Sequence, residues 1–168
     1  MTIRLTLGDI SNQPDLEAVV NAANAQLMPG GGVAGAIHLA AGPELAQACR
    51  SLAPIEPGQA VITEAFGLPN RFVIHALGPR YGLDEPADEL LAAAYRECLA
   101  LCADNDIASV GFPAISAGAF GYPLVEAARI ALKSVLQEAD SALGLRFILF
   151  DSPTLHTFER VLRELNHS

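Results

Sequence analysis

Asn24 closes the run Val19-Val20-Asn21-Ala22-Ala23-Asn24, and Gly30-Gly31-Gly32 follow before Val33-Ala34-Gly35-Ala36-Ile37-His38. An asparagine cannot ionise, but it presents an amide donor and a carbonyl acceptor at a fixed point. Asn21 and Asn24 stand where the apolar run ends, so neither is expected to fill the core. Consecutive glycines let the main chain approach a ligand closely and take positive φ without a Cβ clash. A helix opening after them adds unpaired N–H groups and the positive end of its dipole. Together these parts suit a phosphate cradled by main chain, with an amide side chain beside it. A glycine turn between strand and helix that holds no ligand is the other reading of this stretch.

A second stretch has the same grammar. Ala108 to Ile115 reads as a buried strand, Ser116-Ala117-Gly118-Ala119-Phe120-Gly121-Tyr122 as a small-residue loop, and Pro123 as the opening of a helix. Two such loops leaving buried strands of one α/β sheet would lie outside the strands' carboxyl ends, where ligands of open sheets bind. They could then hold a diphosphate from both sides. Phe120 either plugs its loop onto the domain or stacks on a ribose or base, and Phe150, ending the last strand, allows the same pair of roles. Other chemistries fail on detail. The first loop has no Lys followed by Ser or Thr and no GxGxxG spacing, and Ser116 is not in a GxSxG elbow. His38, among small residues, suits a hydrogen-bonded interior histidine better than a catalyst.

The positioning elements follow from periodicity. Strands are expected at Ile3–Leu7, Leu16–Val20, Gln59–Thr63, Arg71–Ala76, Ala108–Ile115 and Leu145–Phe150. Helices are expected over Ala36–Ala41 and from Gly42-Pro43, the latter with Leu45, Ala48, Cys49 and Leu52 inward. A third runs from Glu85 to Ala103, with Leu91, Ala94, Tyr95, Cys98, Leu101 and Cys102 on one face. A fourth follows Pro123 and buries Leu124, Ala127, Ala128, Ala131, Val135 and Leu136. The last is capped by Ser152-Pro153 and faces inward with Leu155, Phe158, Leu162 and Leu165. The alternation predicts one α/β/α domain over 1–168, with a mixed, mostly parallel sheet of about six strands.

Composition narrows the function classes. A net charge of −9 with ten scattered basic residues argues against a nucleic-acid surface, which needs clustered Lys and Arg. Oriented main-chain amides can still hold a small diphosphate in an acidic protein. Three cysteines without CxxC spacing give no expectation of a metal site or a disulfide framework. No apolar run is long enough for a membrane span, and the start Met1-Thr2-Ile3-Arg4 lacks signal-peptide features, so a cytoplasmic compartment is expected. The polar helix faces predict a monomer.

The order and wording of the motifs resemble the macrodomain family. Gly8-Asp9-Ile10, Val20 to Asn24, Gly30 to Ile37, Val73-Ile74-His75 with Gly78-Pro79, and Phe112 to Gly121 carry the resemblance across nearly the whole chain. It implies the three-layer macrodomain fold and ADP-ribose as ligand or substrate moiety, with no further cofactor. It further implies that Asp9 accepts from the adenine amino group, beside the Ile10 amide, and that Phe150 lies against the adenine. The amides of Gly31, Gly32 and Val33 would face one side of the diphosphate, and those of Ser116, Ala117, Gly118, Ala119 and Phe120 the other. Asn24 would bond the distal ribose and the Phe120 ring would pack on it, so Asn24, Phe120 and Gly32 stand nearest the chemistry.

The resemblance is closest to the branch that removes mono-ADP-ribose from proteins. Many of its members carry Asp after GGGV, where this chain has Ala34. Viral macrodomains share the GGGVAGA wording but often have His at the position of Pro29. The implied activity is hydrolysis of mono-ADP-ribose from acidic side chains, or deacetylation of O-acetyl-ADP-ribose, by water held on the ligand's own phosphate. The implied partners are ADP-ribose and mono-ADP-ribosylated proteins. A reader module that binds without turnover is the alternative; an RNA or poly-ADP-ribose binder is disfavoured by the acidic charge.

Overall fold

The computed structural model describes residues 2–167. Six strands, β1 (Ile3–Leu7), β2 (Ala18–Ala22), β3 (Ala60–Glu64), β4 (Phe72–Ala76), β5 (Ser109–Phe112) and β6 (Gly144–Leu149), form one sheet in the order β1-β6-β5-β2-β4-β3. Every neighbouring pair is parallel except β3–β4, which is antiparallel at the edge. The carboxyl ends of β1, β2, β4, β5 and β6 therefore share one rim, and β2 and β5 are adjacent at its middle. The chain leaves β2 toward β3 and leaves β5 toward β6, so the strand order reverses between them, the place where α/β sheets open a crevice.

Helices α1 (Gly32–Ala41) and α2 (Pro43–Cys49) cover one face, and α3 (Ala87–Asp104), α4 (Leu124–Glu138) and α5 (Ser152–Asn166) cover the other. The strand period divides the core cleanly. Ala18, Val20, Ile74, Ala76, Phe112, Phe147 and Leu149 turn to the three-helix layer, while Val19, Val73 and Ile148 turn to the two-helix layer. The three-helix side is knitted by aromatic rings. Centroids are 5.4 Å apart for Tyr95–Phe112, 5.6 Å for Phe112–Phe147 and 5.3 Å for Phe147–Phe158, a spacing at which tilted rings attract.

Several local expectations shift. α1 begins at Gly32, a full turn before Ala36, because Val33 and Ala34 already pack inward. Leu52 and Leu136 are exposed at 37% and 40%; Ile55 and Leu132 take the inward places. Asp151, not Ser152, caps α5, accepting from Thr154 N–H at 2.9 Å. Asn21 is 1% exposed and faces the two-helix core, contrary to the expectation that it lies outside. Cys98 and Cys102 are buried, as their spacing on one helix face requires.

Candidate functional site

Asn24 follows β2 by two residues and its side chain organises the first loop. Its Oδ1 accepts from Met28 N–H at 3.0 Å and its Nδ2 donates to Met28 C=O at 2.8 Å. One N–H and one lone pair of the amide are left for another partner. The loop then runs to Gly31, whose extended conformation (φ −85°, ψ 177°) places it as the N-cap of α1. Of the three consecutive glycines only Gly32 takes positive φ, at +58°. Gly35 N–H bonds Gly31 C=O at 3.3 Å, so the amides of Gly32, Val33 and Ala34, one turn earlier, have no acceptor among the described residues. Ala34 is 4% exposed and the first turn of α1 carries no acidic side chain.

The second loop is built from main chain. Ser116 adopts φ +66°, unusual for a side-chain-bearing residue, and Tyr122 N–H closes back on Ser116 C=O at 3.0 Å. Gly121 N–H bonds Gly118 C=O at 3.0 Å, and Tyr81 N–H bonds Phe120 C=O at 2.8 Å. The Ser116 hydroxyl donates to Pro79 C=O at 2.8 Å. That contact leaves no room at Gly78: a Cβ there would run into Ser116 Oγ and Ile115. Deeper down, the hydroxyl of Tyr95, fully buried on α3, accepts from Ile115 N–H at 3.1 Å. Ala117 N–H is already directed at Ala114 C=O (3.3 Å), whereas the amides of Ser116, Gly118, Ala119 and Phe120 have no acceptor among the described residues. The Phe120 ring is half-buried against the cluster that holds Ile10 and Leu27, on which Val33, in the first turn of α1, also packs.

A third corner lies where β1 and β6 end. Gly8 N–H donates to Leu149 C=O at 2.9 Å, which sets Gly8–Asp9 beside Leu149–Phe150. Asp9 Oδ1 accepts from Ser11 N–H (2.9 Å) and Ser11 Oγ (2.7 Å), and these donors hold its carboxyl below the usual carboxylate range. The Ile10 side chain is buried while its N–H has no acceptor among the described residues. Phe150 is 80% exposed, so its ring is not part of the core. Asp9, Ile10 and Phe150 thus follow the carboxyl ends of β1 and β6, on the same rim from which the two loops leave β2 and β5, while Asn21 and His38 lie in the interior.

Sequence reasoning missed what lies beneath the first loop. Asn21 Nδ2 is 3.2 Å from His75 Nδ1, and Thr63 Oγ1 is 3.0 Å from His75 Nε2. The Thr63 hydroxyl donates its one proton to Glu64 C=O at 2.9 Å. The tautomer consistent with that bond carries the ring proton on Nε2, directed at Thr63 Oγ1 with Cys49 Sγ at 3.6 Å, and leaves Nδ1 to accept from Asn21. Burial, with His38 nearby, pushes the His75 pKa down to about 3. His38 is interior too, its ring 6.4 Å from that of His75, yet neither of its nitrogens has a partner among the described residues. Burial holds it below the ordinary histidine value. The polar register pair Asn21–His75 across β2 and β4 was the available signal, visible only once the strands are aligned.

Comparison with known proteins gives this geometry its context. An O-acetyl-ADP-ribose deacetylase of Enterobacter cloacae subsp. cloacae is 46% identical over 165 residues, covering 94% of this chain and 91% of its own. The Oceanobacillus iheyensis macrodomain with ADP superposes with a TM-score of 0.92 at 38% identity, over 97% of this chain and 90% of that one. A Trypanosoma brucei macrodomain in complex with ADP-ribose gives 0.86 at 37% identity, over 95% and 68%. The Macro domain family model matches residues 20–131, which begins inside β2, takes in both glycine loops and ends within α4. A three-layer sheet with both loops at its reversal point, and likeness of this extent, make the chain a member of the macrodomain family.

Proposed function

We propose that the chain binds ADP-ribose across this rim and hydrolyses mono-ADP-ribose from acidic side chains, or the acetyl ester of O-acetyl-ADP-ribose. The observation that carries the reading is the pair of loops flanking the β2–β5 reversal, each with main-chain N–H groups that lack acceptors among the described residues. Such amides supply positive potential at contact distance in a protein of net charge −9. Gly31, Gly32 and Val33 would meet one flank of the diphosphate, and Ser116, Gly118, Ala119 and Phe120 the other. Asp9, whose Oδ2 has no hydrogen-bond partner among the described residues, and the Ile10 amide suit the adenine edge, with the exposed Phe150 ring against the base. The remaining capacity of the Asn24 amide suits the distal ribose hydroxyls, and the Phe120 ring suits its face.

In the hydrolytic step, a water oxygen bonds to C1″ of the distal ribose as the bond from C1″ to the acyl oxygen breaks. The electron pair leaves on the carboxylate and the water proton passes to the ligand's phosphate. Asn24 and Phe120 fix the ribose for that attack. With Ala34 in the first turn of α1, no carboxylate base is at hand there. The turnover should therefore lack the ~10²–10⁴-fold contributed by a positioned general base. The same observation favours a second reading, a reader that binds without turnover. A gel assay on a glutamate-modified protein separates them. Label lost with the native chain and retained with Asn24→Ala supports the hydrolase; label retained with both, while free ADP-ribose binds calorimetrically, supports the reader. Absence of binding heat at millimolar ADP-ribose overturns both.

A further inference from the structure

Beyond the rim, a groove of about 280 Å³ runs between the first loop and α2, walled by Leu27, Met28, Pro29 and Ala46, with Gln26 and Arg50 as its polar groups. Met28 belongs to both places. Its main chain clamps the Asn24 amide, and its side chain, 60% exposed, forms the groove wall. No carboxylate lines the groove, and the Arg50 guanidinium has no ion pair or hydrogen bond among the described residues. Of the other eight arginines, Arg71, Arg80, Arg129 and Arg146 are paired with Glu17, Asp84, Glu164 and Asp15. The four that form no ion pair among the described residues, Arg4, Arg96, Arg160 and Arg163, do not line the groove. The one acid of α2, Glu44, sits at the opposite end of that helix, in its first turn.

We infer that this groove receives the polypeptide carrying the modification, and that Arg50 selects carboxylates flanking the modified residue. The inference rests on the proposed ADP-ribose reading: Met28, whose main chain holds the Asn24 amide assigned to the distal ribose, also walls the groove, which puts the groove beside a peptide joined at that ribose. A chain of net charge −9 repels an acidic segment at long range, so an uncompensated guanidinium at the exit is where such a segment gains attraction. The apolar wall accommodates the aliphatic stems of Glu side chains while their heads reach Arg50.

The test uses two peptides mono-ADP-ribosylated at a single glutamate, one flanked by Asp and Glu and the other by Lys, alongside free ADP-ribose. Specificity is read as kcat/KM where ADP-ribose is released and as Kd where it is not. The native chain should prefer the acidic peptide at low salt, and the preference should shrink as ionic strength rises. Arg50→Ala should reduce the affinity or kcat/KM for the acidic peptide about threefold to fivefold, as expected for an exposed charge pair, and leave free ADP-ribose binding unchanged. Arg50→Glu should reverse the preference. Equal peptide discrimination by native and Arg50→Glu chains, with free ADP-ribose still bound, overturns the inference and leaves the parent reading standing. Loss of free ADP-ribose binding by the native chain overturns both.

Discussion

The loop after β2 and the loop after β5 leave neighbouring parallel strands, yet they are held by different means. The first centres on a side chain: the Asn24 amide grips Met28 N–H and C=O. Around it, Leu27 N–H closes on Asn24 C=O at 3.0 Å, Ile55 N–H ties in Ala25 C=O at 2.9 Å, and the Leu27 side chain is buried. The second is fastened by main-chain bonds within the loop, by the Tyr81–Phe120 bond to the 78–81 segment, and by Ser116 Oγ on Pro79. Their supports differ too. Below the first loop lies the polar set of Asn21, Thr63 and His75; below the second, the buried Tyr95 ring stacks into aromatic core. The second loop is preorganised by backbone and packing, so its donors are in place before a ligand arrives. The first has at its centre an amide side chain with donor and acceptor capacity to spare, the better place to couple binding with chemistry.

The largest expected effect comes from breaking the rigid partner. Gly78→Ala drives a methyl into Ser116 Oγ and Ile115, both tightly buried. Overpacking of this kind costs about 1–3 kcal/mol of stability, visible as a lower melting temperature. Displacing the unpaired amides at Ser116 and Gly118 to Phe120 should also weaken ADP-ribose binding roughly 100-fold, or about 2.7 kcal/mol. Calorimetry showing native affinity in a folded Gly78→Ala chain would mean the second loop does not depend on this contact.

Acid should act on the support of the first loop. His75 is fully buried and its pKa lies near 3, below that of an exposed histidine. Between those values the unfolded chain binds a proton that the folded chain refuses, so stability falls as pH drops through about 6.5 toward 3. The slope from one such group is at most ~1.4 kcal/mol per pH unit. His38, lowered in the same direction by burial, adds to it. Thermal melts at pH 7 and pH 5 should differ for the native chain and differ less for His75→Gln. An unchanged difference in that variant would assign the acid sensitivity elsewhere.

How much of this was legible beforehand differs between the loops and what carries them. The strand-to-glycine-to-helix wording of Val20 to Ile37 and Phe112 to Tyr122 was enough to place both loops, because strand periodicity and glycine chemistry are local properties. The helix start at Gly32 was missed, since glycine is a poor helix former and the inward packing of Val33 and Ala34 overrides that preference. Asn21 was misplaced for a related reason. A polar residue near a strand end reads as exposed until β4 is laid beside β2 and His75 appears in register. The engagement of Asn24 by Met28 and of Ala117 by Ala114 depends on turn geometry that residue types alone do not encode.

Asn24→Ala should be smaller in binding than Gly78→Ala but decisive in turnover. It deletes both bonds to Met28, each worth ~0.5–1.5 kcal/mol, and frees the approach to Gly30–Gly32. A tenfold loss of affinity, about 1.4 kcal/mol, with complete loss of ADP-ribose release, is the expected result by calorimetry and gel assay. Asn24→Asp sharpens the comparison. Its Oδ1 can still accept from Met28 N–H, but its second oxygen faces Met28 C=O where Nδ2 now donates. If it releases ADP-ribose as fast as the native chain, the donor half of the amide is not what holds the first loop for chemistry.

The smallest effect belongs to the corner that neither loop supports. Phe150 is 80% exposed at the end of β6, beside Gly8–Asp9, and makes no ring contact among the described residues. Truncating it should leave the melting temperature unchanged, because no buried area is lost from the fold. Aromatic contact with an adenine is worth ~0.5–1.5 kcal/mol beyond its area, so Phe150→Ala should weaken ADP-ribose about threefold to tenfold. The same variant should bind ribose 5-phosphate, which has no base, as the native chain does. A loss for both ligands would move Phe150 from the adenine corner to the loops; a loss for neither would leave the ring in solvent and put base recognition on Asp9 and the Ile10 amide.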